Sequence, residues 1–364
     1  MIEPFSILST RSCLSYAKQV VETINGLPER ILFPDVIDYT EALAVTVFAD
    51  GEMEVVLQKS VRARRVFLFT TCARNDAGLS VEECKIELYH TIDVLKRSQS
   101  IEIIIFEPYI SCSRSDRTMR RNSVGMWIHY KILISLGANH LITYQLHSDK
   151  IKTIFDPCLC SVDDVHAVSL LQKYLCETAI KDVSTLHTEV KNDWLFCSVD
   201  AGGEKLARKF ATAFGTQLVI AQKQRNYQIP NTIDSINLLS AVPLENKNVW
   251  IVDDMIDTGG SVYGLAKELK KRTKKEIHIM IVHPVLSGPA IERLIELKTE
   301  GILGRLVVCD TVSCDSLKQL LPFMEIIGSA NLSGKIILTI VQNHQMSDLI
   351  DSFSPINFLE TSIT

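Results

Sequence analysis

The sequence predicts an α/β fold in which helices cover both faces of a parallel sheet. Short apolar runs alternate with helical patterns along most of the chain, which is typical of this fold class. The stretch from Val249 to Ser261 shows this succession of strand and helix most clearly, because a wholly apolar strand leads through a glycine turn directly into a helical pattern. At 364 residues the chain is also long for one domain, so two domains are expected.

The glycine turn after this strand predicts a site for a phosphorylated sugar. Gly259 and Gly260 let the backbone approach an anion, and the following helix offers free N–H groups and the positive end of its dipole. Carboxylates repel phosphate, so those beside the turn are placed to accept hydrogen bonds from sugar hydroxyls or to hold Mg²⁺. The acids and hydroxyls beside the two glycines are Asp253, Asp254, Asp257, Thr258 and Ser261.

Polar residues also follow other predicted strands, at the edge where α/β proteins bind their ligands. The strand from Trp194 to Val199 is followed by Asp200 and two glycines, a weaker candidate anion site with one acid and no hydroxyl. The basic segment from Arg114 to Arg121 follows a strand that ends at Phe106, and His147 follows a strand that ends at Tyr144. A lone histidine is more often structural, but this one lies in the same layer as the basic segment.

Two further segments lack a clear core pattern. Residues 48–52 read F-A-D-G-E and by themselves predict a turn. Lys223 and Arg225 open a long segment that extends to the strand at Val249. An irregular segment of this kind inside an α/β domain tends to be a functional lid or arm, and its basic start favours contact with an anionic substrate.

Composition argues against several classes of partner. The net charge of −5 gives no electrostatic footprint for nucleic acid. No apolar run approaches the ~20 residues of a membrane span, and the N-terminus does not resemble a signal peptide. The ten cysteines are scattered, which favours reduced thiols over a disulfide framework. We therefore expect a cytoplasmic protein without a nucleic-acid or membrane partner.

In their order along the chain, these motifs resemble those of phosphoribosyl pyrophosphate (PRPP) synthetases, also called ribose-phosphate diphosphokinases. The similarity extends from Leu8 to about residue 345. The matching segments are F-A-D-G-E at 48–52, P-Y-I-S-C-S-R-S-D-R at 108–117, Q-L-H at 145–147, S-V-D-A-G-G at 198–203, K-Q-R at 223–225, V-D-D-M-I-D-T-G-G-S at 252–261, and H-P-V-L-S-G-P-A at 283–290.

The resemblance implies two tandem phosphoribosyltransferase-like (Rossmann-like) domains, each with a mainly parallel sheet. We place the N-terminal domain, with the nucleotide side and the subunit contacts, at residues 1–163. The C-terminal domain, with the ribose 5-phosphate loop, is placed at residues 164–364. The implied reaction transfers the diphosphoryl group of ATP to O1 of ribose 5-phosphate and yields PRPP and AMP. A homo-oligomer built from dimers, up to a hexamer, is also implied.

The resemblance also implies a role for each matching residue. Lys223 and Arg225 would be catalytic, and His147 and Asp200 would hold Mg²⁺ on the ATP phosphates. The implied ATP-binding residues are Phe48, Asp50, Glu52, Arg114, Ser115, Asp116 and His147. The implied ribose 5-phosphate-binding residues are Asp253, Asp254, Asp257, Thr258, Gly259, Gly260 and Ser261.

Several positions depart from the family pattern. Ser115 stands where the family has glutamine, Gln145 stands where it has aspartate, and Lys150 and Lys152 stand where it has glutamines. These departures leave metal affinity, nucleotide preference and regulation open. They also keep open a non-catalytic homologue that joins or regulates synthetase oligomers. The acid-rich phosphate loop by itself does not exclude a type I phosphoribosyltransferase, which would consume PRPP.

Overall fold

We describe a computed structural model of the chain, covering residues 4–28, 37–118, 121–225, 233–350 and 353–361. The chain divides into two compact units. Unit 1 comprises Met1–His166, Thr311–Ser313 and Gly328–Asp351, and unit 2 comprises Ala167–Asp310, Cys314–Ile327 and Ser352–Thr364. The predicted division at residues 163/164 lies near the first crossing between the units, but it placed Gly328–Asp351 in the second domain.

Strands alternate with helices along most of the chain. The strands are β1 (Phe5–Ser9), β2 (Ile37–Tyr39), β3 (Leu43–Val47), β4 (Met53–Leu57), β5 (Arg65–Phe69), β6 (Glu102–Phe106), β7 (His140–Tyr144), β8 (Ser161–Val165), β9 (Trp194–Ser198), β10 (Gln217–Arg225), β11 (Ile233–Ser240), β12 (Asn248–Ile256), β13 (Ile277–Pro284), β14 (Leu303–Cys309) and β15 (Met324–Ile327). The α-helices are α1 (Leu14–Gly26), α2 (Val81–Arg97), α3 (Gly125–Leu136), α4 (Val168–Thr178), α5 (Val183–Thr185), α6 (Lys191–Asp193), α7 (Glu204–Phe214), α8 (Gly260–Lys270), α9 (Ala290–Thr299), α10 (Asp315–Leu320), α11 (Ala330–Val341), α12 (Ser347–Ile350) and α13 (Pro355–Thr361). The described residues also form short 3₁₀ turns at Arg11–Cys13 and Asp149–Ile154 and a π-helical turn at Leu186–Val190. Strands β2 to β5 and β10 to β12 follow one another without an intervening helix among the described residues.

Unit 1 is built on a six-stranded sheet in the order β2-β1-β5-β6-β7-β8. The neighbouring strands described in this sheet are parallel. Strands β3 and β4 form a separate antiparallel hairpin. Buried aliphatic residues of the central strands pack against α2 and α3 on one face. Because β5, β6 and β7 are parallel neighbours, the loops that follow them emerge together at the carboxyl edge.

Helix α11 completes unit 1, although it lies far along the chain. Ser329, which immediately precedes the helix, and Ser333 within it hydrogen-bond the hydroxyl of Tyr16 in α1, at 2.7 and 2.8 Å. A Cβ at Gly334 would lie 3.1 Å from Cγ1 of Ile24, so the absence of a side chain lets the two helices approach closely. The apolar run at 336–340 lies within α11, and tertiary packing decides where the helix docks.

Unit 2 contains a seven-stranded sheet in the order β11-β10-β9-β12-β13-β14-β15. Its neighbouring strands are parallel except for β10 and β11, which are antiparallel. Strand β11 corrects the expectation of an irregular segment between Lys223 and Val249. Strand β11 is an edge strand, and among its described side chains Ile236 and Leu238 pack against the core; it lacks the continuous apolar run of a central strand. The two parallel sheets confirm the predicted α/β fold class.

Among the described helices, none combines the length and apolar character needed to cross a bilayer. All ten cysteines are free thiols in this structure.

Helix α2 begins with a capping box formed by Ser80 and Glu83. The Ser80 hydroxyl accepts from the Glu83 N–H at 3.3 Å, and the Glu83 carboxylate accepts from the Ser80 N–H at 2.8 Å. We expect Ser80→Ala to lower the free energy of unfolding by about 1 kcal/mol, because the helix loses a partner for a terminal N–H. Urea unfolding measures this. Ser98→Ala at the other end of α2 is the control, and an equal loss in both variants would contradict the capping role.

Candidate functional site

The predicted sugar-phosphate loop joins β12 to α8 in unit 2. Strand β12 is longer than predicted and includes Asp253 and Asp254, because its pairing with β13 continues to the end of the strand. Gly259 adopts a left-handed φ of 73° immediately before α8. A Cβ on Gly259 would lie 3.4 Å from Cα of Ala290, so glycine satisfies both the backbone angle and the close approach.

Helix α8 begins at Gly260, so Ser261 lies in its first turn. The N–H groups of a first turn have no partner within the helix, and they carry the positive end of the helix dipole. The loop therefore has the arrangement that binds a phosphate group.

The segment between β13 and α9 braces this loop. The Ser287 N–H donates to the Asp257 carbonyl at 3.0 Å, and the Ser287 hydroxyl donates to the Asp257 carboxylate. The guanidinium of Arg293 donates to the Thr258 carbonyl at 2.7 Å. One oxygen of Asp257 is thus committed to holding the loop, a role beyond the sugar contact predicted for it.

Sequence reasoning noted the S-G-P-A motif at 287–290 but gave it no role, and it missed Arg293 altogether. The contacts of Ser287 and Arg293 join residues about thirty positions apart in the chain, so no short-range pattern reports them. The sequence feature that could have indicated Arg293 is a basic residue in the first turn of the helix that follows S-G-P-A.

The two predicted acidic strand ends of unit 2 come together. Strands β9 and β12 are parallel neighbours, with Ser198 opposite Val252. A Cβ on Gly203, in the turn after Asp200, would lie 3.3 Å from Oδ1 of Asp253. Asp200 itself accepts from the N–H groups of Gly202 and Gly203 at 2.9 and 3.2 Å, which fixes the orientation of its carboxylate.

The electrostatics of this acidic cluster favour a cation. Burial, and then the charges of Asp254 and Asp200, raise the pKa of Asp253 well above its usual range. Several carboxylates at one strand edge repel one another, and a hard divalent cation relieves that repulsion. An all-oxygen set of this kind suits Mg²⁺, so Asp200, the predicted metal ligand in unit 2, lies in surroundings that fit the ion.

Lys223 and Arg225 lie at the end of β10, where Lys223 is opposite Ile236 and Arg225 is opposite Ile233 of β11. A bulge separates Gln224 from Arg225. The start of the predicted lid is therefore one strand of a two-stranded ribbon. The side chains of both basic residues and the whole of residues 226–232 lie outside the described part of the chain.

In unit 1, Phe48, Asp50 and Glu52 lie on the turn between β3 and β4. The Phe48 N–H donates to the Glu52 carbonyl at 2.8 Å, and Asp50 accepts from the Glu52 N–H at 3.1 Å. The Phe48 side chain is 48% exposed. The F-A-D-G-E segment is thus both the turn that its residues predict and an exposed surface.

The basic segment that carries Arg114 follows β6, and His147 follows β7. Because β6 and β7 are parallel neighbours, both emerge at the same edge of the unit 1 sheet. Arg114 and His147 are exposed, and Asp116 is partly exposed. Ser115 is engaged locally, since its hydroxyl accepts from the Gly125 N–H at 2.9 Å where α3 begins. That hydroxyl keeps its own hydrogen to donate to a ligand.

Comparison with known proteins bears on this set of sites. Residues 5–137 match the family model for the N-terminal domain of ribose phosphate pyrophosphokinase, and residues 170–294 match the phosphoribosyl transferase domain model. The ribose-phosphate pyrophosphokinase 1 of Listeria monocytogenes is 30% identical over 309 residues, which are 85% of this chain and 89% of the relative. The ribose-phosphate pyrophosphokinase of Mycoplasma pneumoniae is 32% identical over 302 residues, or 82% and 85% of the two chains.

The chain belongs to the ribose-phosphate pyrophosphokinase family. A crystal structure of phosphoribosylpyrophosphate synthetase from Mycobacterium smegmatis shares the fold, with a TM-score of 0.77, 24% identity and coverage of 94% of this chain and all of that one. The predicted resemblance is thereby confirmed. The roles of individual residues in this member of the ribose-phosphate pyrophosphokinase family remain predictions.

Proposed function

We propose that the chain is a ribose-phosphate diphosphokinase that makes PRPP for nucleotide biosynthesis. O1 of ribose 5-phosphate attacks the β-phosphorus of ATP, the bond from that phosphorus to the α,β-bridging oxygen breaks, and AMP leaves. The observation that carries this is the 30% identity to a ribose-phosphate pyrophosphokinase across 89% of that relative's length. The phosphate-binding geometry of the β12–α8 loop supports the sugar-phosphate half of the reaction.

The sugar side of the proposed site is the braced loop of unit 2. The first turn of α8, with Gly259, Gly260 and Ser261, binds the 5-phosphate, and Thr258 lies exposed beside it. Asp253 and Asp254 accept hydrogen bonds from the ribose hydroxyls. Asp257, tied to Ser287, keeps the turn in the shape that these contacts need.

The residues that bind the nucleotide in this proposal lie in unit 1. Arg114 and Asp116 contact ATP through the segment after β6, with Ser115 beside them. Phe48, Asp50 and Glu52 bind the adenine and ribose of a nucleotide held by a neighbouring subunit, which requires a homo-oligomer. The exposed apolar side chains of Val47, Phe48 and Val56 on this hairpin support such a contact.

His147 and Asp200 would hold Mg²⁺, which when bound offsets the negative charge of the ATP phosphates. Lys223 and Arg225 then act on the transferring group, because catalysis of this class of reaction is mainly positioning and charge stabilisation. Free thiols throughout the chain support the proposal that the enzyme works in the reducing cytoplasm.

Two other functions receive less support. A type I phosphoribosyltransferase is disfavoured by the match of residues 5–137 to the N-terminal ribose phosphate pyrophosphokinase domain. A non-catalytic regulatory homologue is disfavoured because the chain keeps Lys223, Arg225, His147 and Asp200, and a scaffold has no physical need for that set.

The test is formation of AMP and PRPP from ATP, Mg²⁺ and ribose 5-phosphate. We expect equimolar products that require all three components, with omission of ribose 5-phosphate as the control for simple ATP hydrolysis. Calorimetric binding of ribose 5-phosphate without turnover would favour the regulatory homologue. Consumption of PRPP with a nucleobase would favour the transferase.

A further inference from the structure

Three side chains that the proposed reaction does not use meet in the interior of unit 1. Cys72 follows β5, Glu107 follows β6, and His129 lies in α3. All three are buried, with at most 2% of the residue exposed. One ligand atom from each side chain lies within 4.8 Å of the other two. A thiol, a carboxyl group and an imidazole thus converge at the carboxyl edge of the sheet.

One buried polar atom at this cluster, Nε2 of His129, has no hydrogen-bond partner among the described residues. The other ring nitrogen of His129, Nδ1, lies 2.8 Å from the Tyr89 hydroxyl. A proton on Nδ1 would donate to Tyr89 and leave a lone pair on Nε2. A buried imidazole nitrogen with a free lone pair is a group that a ligand can satisfy.

Hydrogen bonds hold the carboxyl group of this cluster in place. Oε1 of Glu107 accepts from the Ser111 N–H at 3.1 Å, and Oε2 accepts from the Tyr130 hydroxyl at 2.5 Å. Both the imidazole and the carboxyl group thus have the outer hydrogen bonds typical of metal ligands.

We propose that Cys72, Glu107 and His129 bind a zinc ion inside unit 1. Thiolate and imidazole ligands favour Zn²⁺ over the hard cations Mg²⁺ and Ca²⁺. The fourth position of the tetrahedron is taken by the Ser111 hydroxyl or a water molecule. On binding, the Cys72 thiol releases its proton to solvent and becomes the thiolate ligand.

Zinc binding requires the three ligand atoms to lie at the distances of a tetrahedral site. Tetrahedral zinc with bonds of about 2.0–2.3 Å needs ligand atoms about 3.3–3.8 Å apart. The ligand atoms, which lie within 4.8 Å of one another, therefore close by up to ~1.5 Å when the ion enters. The ion would tie the segment after β5 to the start of the β6–α3 segment that carries Arg114. It is distinct in chemistry from the oxygen-rich Mg²⁺ site of the proposed reaction, and it does not depend on that reaction.

The first experiment measures the metal content of the full-length wild-type protein after incubation with zinc sulfate and desalting. We expect about one equivalent of zinc per chain, and an X-ray absorption spectrum at the zinc edge with about one sulfur ligand among nitrogen and oxygen ligands. Wild-type protein without bound zinc, or zinc bound without sulfur, would overturn the proposal. This measurement needs no variant and so does not depend on the folding of one.

Variants then assign the site. Cys72→Ser should lose the zinc and the rise in melting temperature that zinc gives to the wild type. Cys160→Ser is the matched control, because Cys160 is also a buried free cysteine of unit 1. Its thiol donates a hydrogen bond to the Ser161 carbonyl and is not part of the cluster. His147→Ala, which removes a proposed Mg²⁺ ligand, should also keep the zinc. Retention of zinc by a folded Cys72→Ser protein would reject the assignment.

Discussion

Replacement of Lys223 by alanine should lower kcat for AMP and PRPP formation by about 10³-fold, with little change in the KM for ribose 5-phosphate. The physical reason is that charge on the transferring diphosphoryl group increases in the transition state, where a removed cationic donor is missed most. Lys223 lies on β10, in a backbone position set by its pairing with Ile236 of β11. Steady-state kinetics with AMP detection measures both constants.

Two variants sharpen this result. Lys223→Arg keeps the positive charge and should retain more activity than the alanine variant, although guanidinium and ammonium groups differ in geometry. Lys271→Ala removes an exposed lysine of unit 2 that pairs with Glu268 at 2.8 Å and should leave turnover unchanged. A wild-type kcat in Lys223→Ala would remove this residue from the proposed transition state.

Asp254→Asn should raise the KM for ribose 5-phosphate by about 30-fold, because a hydrogen bond to a charged group contributes about 1.5–3 kcal/mol. The asparagine keeps the size of the side chain but removes its charge and one of its two acceptor oxygens. The KM for ATP should change much less if the sugar site is on unit 2 as proposed. Initial rates measured over both substrates separate the two effects.

The matched control for Asp254→Asn is Asp315→Asn, an exposed carboxylate of unit 2 that pairs with Lys318 at 3.4 Å. It makes the same chemical change away from the loop. An unchanged KM for ribose 5-phosphate in Asp254→Asn would place the sugar hydroxyls elsewhere. An equal rise in both variants would mean that net charge, and not the loop carboxylate, controls sugar binding.

The Ser115 departure gains a physical interpretation from the structure. Its hydroxyl accepts from the Gly125 N–H, so serine here stabilises the start of α3 as well as facing the proposed nucleotide site. A hydroxyl is shorter than the glutamine amide that the family resemblance would place there. The proposed ATP contact at this position is therefore a single donated hydrogen bond, in place of the several bonds that an amide can make.

The β12–α8 loop was predictable from the sequence because its determinants are local. An apolar strand, adjacent acids, two glycines and a helical pattern follow one another within Val249–Ser261, and each acts on the backbone of its immediate neighbours. The capping box at Ser80 and the helix stop at Gly137, with its left-handed φ of 105°, were predictable for the same reason.

Tertiary structure alone decided the features that depend on distant segments. Strand β11 forms because β10 offers an edge to pair with, and α11 joins unit 1 because Gly334 fits against Ile24. The Arg293 brace and the cluster of Cys72, Glu107 and His129 also join residues far apart in the chain. Local propensity carries no information about such contacts, since they form only when packing brings the segments together. The sequence thus determined the family and the phosphate loop, whereas folding determined what supports that loop and what lies buried beside it.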